Sequence, residues 1–132
     1  KGIITVFGGT QTRPNIHIDD ITDIYLHLID HPDVTGVYNA GFENISILDI
    51  ANLVTKHVPA EIVVTESNDP RSYRVNSDKL LATGFKPKKS VEDAVREIVE
   101  KYRSGNLKDE ECFYNLEWME KTVLAKSSLD PI

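Results

Sequence analysis

Along the chain, the apolar positions switch between the period of a strand and the period of a helix. Gly2 to Phe7 is a β-branched and aromatic run closed by Gly8-Gly9, the pattern of a strand entering a turn. Pro14 marks a loop. From His17 the spacing becomes helical: Ile18, Ile21, Ile24, Tyr25 and Leu28 recur behind Asp19 and Asp20, carboxylates that suit the positive end of a helix dipole, and Pro32 stops the run. Gly36 to Asn39 is a short buried-strand candidate. Ser46 and Asp49 form a capping pattern ahead of Ile47, Ile50, Ala51, Val54 and Val58, one face of a second helix closed by Pro59. Glu61 to Thr65 is another strand, followed by a polar loop over 66–72. Tyr73 to Val75 reads as extended, and Ser77 is placed to cap a short helix through Leu81 that ends at Gly84.

Ser90 and Asp93 repeat the cap before the stripe Val91, Ala94, Val95, Ile98, Val99 and Tyr102. Glu92/Arg96 and Glu97/Lys101 pairs are expected on the opposite face, and Gly105 is the stop. Asp109 to Lys126 is a further helix candidate, with Cys112, Leu116, Met119 and Val123 on one side and Phe113, Trp118 and Leu124 off it. Strands alternating with helices give an α/β class, and three strands predict a small sheet with packed helices, the edge of a larger sheet.

Composition narrows what such a chain can be. Hydrophobic residues at 40% and charged residues at 27% are globular values. A chain of 132 residues can bury roughly two thirds of its unfolded surface, enough for one core. Fifteen Lys+Arg against 21 Asp+Glu give a net charge of −6 without a basic cluster, which argues against nucleic acid and anionic membrane as partners. No apolar run approaches the roughly 20 residues of a membrane span. The one cysteine, Cys112, cannot form an intrachain disulfide, so a cytoplasmic location is expected. The sequence begins at Lys1 and its one methionine is Met119, so the expectation is a piece of a longer protein or a processed product.

Several candidate features reduce to structure. Gly8-Gly9 lacks the spacings of phosphate-binding loops and runs into Thr12-Arg13-Pro14 rather than a helix, so a plain turn is expected. Asp23, His27 and His31 share one helical face, a conceivable metal arrangement, but His31 precedes Pro32 at a helix end, and a solvated polar face is preferred. Cys112 has no basic activator nearby and reads as an idle or packed thiol, and His57 as a packing residue. Two segments resist such readings: Arg13 to Asp20, and Asp69 to Arg74. Arginine forks match phosphate oxygens, so the two loops would clamp one diphosphate; alternatively Arg13 pairs with Asp19 or Asp20, and Arg71 with Asp69.

The same residues carry a resemblance. Thr12 to Ile21 resembles the R-x-x-x-H-[VI]-x-D segment of the extended short-chain dehydrogenase/reductases, the NAD-dependent nucleotide-sugar epimerases and dehydratases. Tyr38-Asn39-Ala40-Gly41 with Ser46 to Ala51 resembles their YN-x-G turn and following helix. Asp69 to Val75, with Lys79-Leu80 and Gly84-Phe85-Lys86-Pro87, resembles their late R-x-Y-x-[VI] block. These matches run in the family's order over residues 2 to 105. The resemblance implies the C-terminal part of a Rossmann-type protein, with a nucleotide-sugar-binding portion over 1–105 and an extension, helical in expectation, over 106–132. It implies that Arg13 and Arg71 contact the substrate diphosphate and that Tyr73 and Arg74 line the same site. His17 and Asp19 would lie at the junction beneath it, and Asn39 would support the turn, all three shaping the fold.

The family's chemistry is missing from these residues. There is no G-x-x-G-x-x-G, and none of the five tyrosines has a lysine four positions on, so the Tyr-x-x-x-Lys pair is absent. NAD or NADP is therefore implied for a homodimeric parent, with no cofactor and no activity expected of this portion alone. A non-catalytic sensor of the same fold that binds a nucleotide ligand is the alternative.

Overall fold

The computed structural model describes residues 2–69 and 71–124, so Pro70 of the late block lies outside the described residues, as do Ala125 and Lys126 of the last candidate helix. Strand β1 (Gly2–Phe7) pairs in parallel with β4 (Ala60–Thr65), Ile4 opposite Ile62 and Val6 opposite Val64. A second, antiparallel pair joins β2 (Thr12–Asn15) to β3 (Glu43–Ser46), Arg13 opposite Ile45 and Pro14 opposite Asn44. The expected three-stranded sheet is thus two two-stranded pairs. The loop expected at Pro14 is a strand, because an edge position tolerates a residue without an N–H. The strand expected at Gly36–Asn39 does not form: Gly36 sits at φ +106°, Val37 is exposed, and the Lys79 ammonium donates to the Val37 carbonyl (2.9 Å) over the Tyr38 ring.

The glycine turn joins the two pairs. Gly9 has φ +99°, and a Cβ there would lie 3.3 Å from both Leu48 Cβ and Val6 Cγ1. Its carbonyl accepts the Leu48 N–H (3.0 Å) at the start of α2 (Ile47–His57), which packs on both β1 and β4 and buries Ala51 there. Ser46 caps α2 as expected: its hydroxyl accepts the Asp49 N–H (3.1 Å) and donates to the Asp49 carboxylate (2.6 Å).

The main core lies elsewhere, where Ile24, Leu80 and Phe85 are buried and Ile16, Leu28 and Phe42 pack against them. Helix α1 (Ile18–Asp30) supplies Ile24 and Leu28, whereas Ile18 and Tyr25, expected on that face, are 70% and 67% exposed. His27 takes part of the inward stripe instead, edge-on to Phe85 and hydrogen-bonded to the Thr83 hydroxyl (2.9 Å), which corrects its reading as a solvated polar residue. Helix α3 (Asp78–Leu81) is capped by the Asn76 side chain, which accepts the Asp78 N–H (2.8 Å). The expected cap, Ser77, is buried and spends its hydroxyl on the N–H and carbonyl of Gly41, both at 3.0 Å.

Helix α4 (Val91–Arg103) begins with a full capping box between Ser90 and Asp93. Its expected surface pairs are replaced: Arg96 meets Asp93 one turn back on the same helix, while Glu97 meets Lys89 and His17, and Glu92 meets Lys56 and His57, partners that come from outside α4. Two compact units divide the chain, Lys1–Val99 and Glu100–Ile132. In the second, the single helix expected from Asp109 is broken into a 3-10 turn (Glu111–Phe113), α5 (Asn115–Met119) and a π-type turn (Glu120–Leu124). The break falls at Tyr114, whose backbone (φ −96°, ψ 78°) is not helical and whose hydroxyl donates to Asp109 (2.9 Å). No helix among the described residues is long and apolar enough to cross a membrane.

Candidate functional site

The site is assembled on β2. Segment 72–75 lies along the β2–β3 pair: the Thr12 N–H donates to the Ser72 hydroxyl (3.0 Å), and the Tyr73 N–H to the Thr12 carbonyl (3.3 Å). The Asn44 side chain then satisfies Val75 twice, accepting its N–H (2.9 Å) and donating to its carbonyl (3.0 Å). A primary amide can do both at once because it carries a donor and an acceptor on one plane. This lacing brings Arg71 and Tyr73 to Arg13.

Arg13 and Arg71, 58 residues apart, meet around one carboxylate. Asp69 accepts from Arg71 Nε (2.7 Å) and Nη2 (2.8 Å), and from Arg13 Nη2 (3.3 Å). It also accepts the Arg71 N–H (3.1 Å), closing a local turn. Arg13 Nη1 donates to the Arg71 carbonyl, and its guanidinium carbon lies 5.3 Å from the centre of the Tyr73 ring. The Arg71 hydrogen bonds, and then the charges of Arg71 and Arg13, hold the Asp69 carboxyl far below the usual carboxylate range, and Asp69 in turn raises Arg71. Arg71 is open to solvent, with 76% of its side chain exposed, while Arg13 at 21% is largely covered. Of the two local pairs weighed for the arginines, Arg71 with Asp69 forms. Arg13 does not turn to Asp19 or Asp20; it shares Asp69.

The other expected site residues fall in different places. Arg74 lines a cavity of about 520 Å³ with Asn44, Asn76, Phe42 and Leu81, whose wall contains none of Arg13, Asp69, Arg71 or Tyr73. Asn39 donates to the Asn76 carbonyl (3.4 Å), tying the turn to the late segment. His17 caps α1: buried Nδ1 accepts the Asp19 N–H (3.1 Å), and Nε2 lies 3.3 Å from Glu97. His17, Asp19 and Glu97 are close enough to gather around an ion. Both ring nitrogens already have partners, and Glu97 also holds Lys89. Cys112 is exposed, with a glutamate, Glu110, as its neighbour, surroundings that do not favour a thiolate.

For two carboxylates in this region the sequence reading named other partners than the long-range ones that form. Asp69 stands two residues before Arg71, a spacing that signals a turn, but nothing in the sequence says that Arg13, 56 residues away, shares it. Asp20, at the D position of the R-x-x-x-H-[VI]-x-D pattern, is fully buried and accepts the backbone N–H groups of Lys88 (2.9 Å) and Lys89 (3.2 Å). That pattern was the available signal for a buried acid.

Gly8-Gly9 is a plain turn, as expected. The turn after β1 leads into β2 at Thr12, so no helix N-terminus follows Gly8-Gly9 to receive a pyrophosphate.

No known family profile matches the chain. It is 29% identical over 110 residues to GDP-L-fucose synthase of Sinorhizobium fredii, covering 79% of this chain and 35% of that protein. It is 30% identical over 110 residues to a putative anthocyanidin reductase of Ginkgo biloba, covering 81% and 31%. The fold matches RMD from Pseudomonas aeruginosa, solved with NADPH, at TM-score 0.67 and 25% identity over 80% of this chain and 36% of that one. It also matches UDP-glucose 4-epimerase from Bifidobacterium longum, solved with NAD+ and UDP, at TM-score 0.61 and 21% identity, covering 78% and 36%. The chain spans about a third of the length of the curated relatives it matches.

Proposed function

We propose that this chain, which spans about a third of the length of the relatives it matches, is the C-terminal, substrate-binding portion of an extended short-chain dehydrogenase/reductase, an NAD(P)-dependent nucleotide-sugar epimerase or reductase. The observation that carries this is the meeting of Arg13 and Arg71 around one anionic group beside Tyr73. The relatives differ in substrate: one is named for a GDP-sugar, another for an anthocyanidin, which carries no phosphate. Two converging guanidiniums favour the former, because a fork of N–H donors matches phosphoryl oxygens in pairs.

In this reading Arg13 and Arg71 hold the substrate diphosphate, Tyr73 covers the Arg13 guanidinium, and Arg74 faces a neighbouring part of the nucleotide sugar. With no Tyr-x-x-x-Lys pair in its sequence, the chain would bind substrate without turning it over. The nicotinamide cofactor, NADPH in one neighbour, would be held and would exchange hydride in the remainder of a homodimeric, cytoplasmic parent.

Calorimetric titration of the chain with GDP, and separately with guanosine, tests the reading. GDP should bind and guanosine should not, and Arg13→Ala should weaken GDP binding by about tenfold or more, the worth of a charge-assisted pair. Equal affinity for GDP in Arg13→Ala and the parent chain would remove Arg13 from the site.

A further inference from the structure

The arginine clamp already contains an anion of the protein's own, the Asp69 carboxylate. Arg71 presents a planar edge, Nε and Nη2, that would receive a phosphoryl group bidentately, and both donors of that edge are spent on Asp69. The second oxygen of the same carboxylate also takes Arg13 Nη2. An incoming phosphate thus meets arginines whose best donors are engaged.

Resting on that reading, we propose that Asp69 is an internal competitor for the diphosphate clamp, occupying it in the empty protein and leaving when a polyanion enters. The competition favours a diphosphate over singly charged anions. A carboxylate brings one charge and two oxygens to the arginines, whereas pyrophosphate brings more of both and so displaces it more readily than a monocarboxylate or a monoester would. Displacement is inexpensive here because the pair lies at the surface, where exposed ion pairs contribute little. It also needs no unfolding: the Asp69 backbone is held independently by the Ser67 hydroxyl (3.2 Å), so a side-chain rotation suffices. Acid does not open the clamp under ordinary conditions, since the arginines keep Asp69 ionised well below the usual range.

The opposing role is a scaffold, in which Asp69 orients the arginines and its loss disorders them. Asp69→Asn separates the two, because an amide oxygen retains the turn to the Arg71 N–H while the charge is removed. Inorganic pyrophosphate is titrated calorimetrically into the parent chain and the variant at one ionic strength. A competitor predicts that Asp69→Asn binds pyrophosphate about fivefold more tightly, the size expected from releasing one exposed and one partly covered pair. Asp69→Ser, which also retains the turn, should do the same, and guards against a folding defect of the amide. Glu66→Gln, on the same loop but outside the arginine contacts, should change affinity much less. Unchanged or weaker binding in both Asp69 variants, or equal tightening in Glu66→Gln, overturns the competitor and leaves the clamp intact. No pyrophosphate binding by any of the proteins overturns the clamp itself, and the competitor with it.

Discussion

Two carboxylates do the same geometric job in opposite surroundings. Asp20 and Asp69 each join segments that are distant in sequence, Asp20 tying the start of α1 to Lys88 and Lys89, and Asp69 tying the late loop to Arg13 on β2. Asp20 is fully buried and its partners are backbone amides, which cannot leave without breaking the chain's path. Asp69 keeps 30% of its side chain exposed, and apart from the Arg71 N–H its partners are charged side-chain forks. A buried acceptor with backbone donors is a rivet, and a partly exposed acceptor with cationic side-chain donors is the one an anion can replace, as proposed for Asp69.

The contrast is most easily broken at the rivet. Asp20→Ala leaves two amides without acceptors and should cost about 3 kcal/mol in chemical denaturation, from roughly 1–3 kcal/mol per orphaned group. Asp69→Asn should leave the denaturation midpoint nearly unmoved. Similar losses in the two variants would erase the distinction. A smaller effect concerns acid. The Ser90 hydrogen bonds, and then Arg96, lower the Asp93 carboxyl from 3.8 to about 2. As pH falls through 3.8 the unfolded chain takes up this proton while the folded chain resists until about 2, so stability present above that window is lost across it. Thermal midpoints recorded over this range should fall, and Asp93→Asn should flatten part of the decline. An unchanged slope in the variant would show that the α4 cap carries none of it.

How much of this was legible in the sequence depended on range. The caps at Ser46 and Ser90, the bounds of α1 and α2, and β1 with β4 are local patterns, and they stand where periodicity and capping residues put them. The failures are places where a distant partner decides. Pro14 looked like a loop until β3 offered an edge to pair with. Ser77 looked like a cap, but Gly41 claimed its hydroxyl. Glu97 was matched to Lys101 by spacing, although Lys89 and His17 approach it from another element. The site divides in the same way: the two arginines and Tyr73 were legible as chemistry, and the Arg71–Asp69 pair as a local turn. The sharing of Asp69 with Arg13 depends on Asn44 lacing segment 72–75 to the strand pair, which no local pattern encodes.

The central claim is that one diphosphate meets both guanidiniums, and side-chain NMR reads that directly. With the Arg13 and Arg71 Nε–H signals assigned by Arg13→Lys and Arg71→Lys variants, GDP is titrated into the chain. A shared clamp predicts that both signals shift along one saturation curve while the Asp69 carboxyl carbon shifts with them, and that guanosine moves none of the three. Saturable GDP binding that leaves either guanidinium signal in place would contradict it.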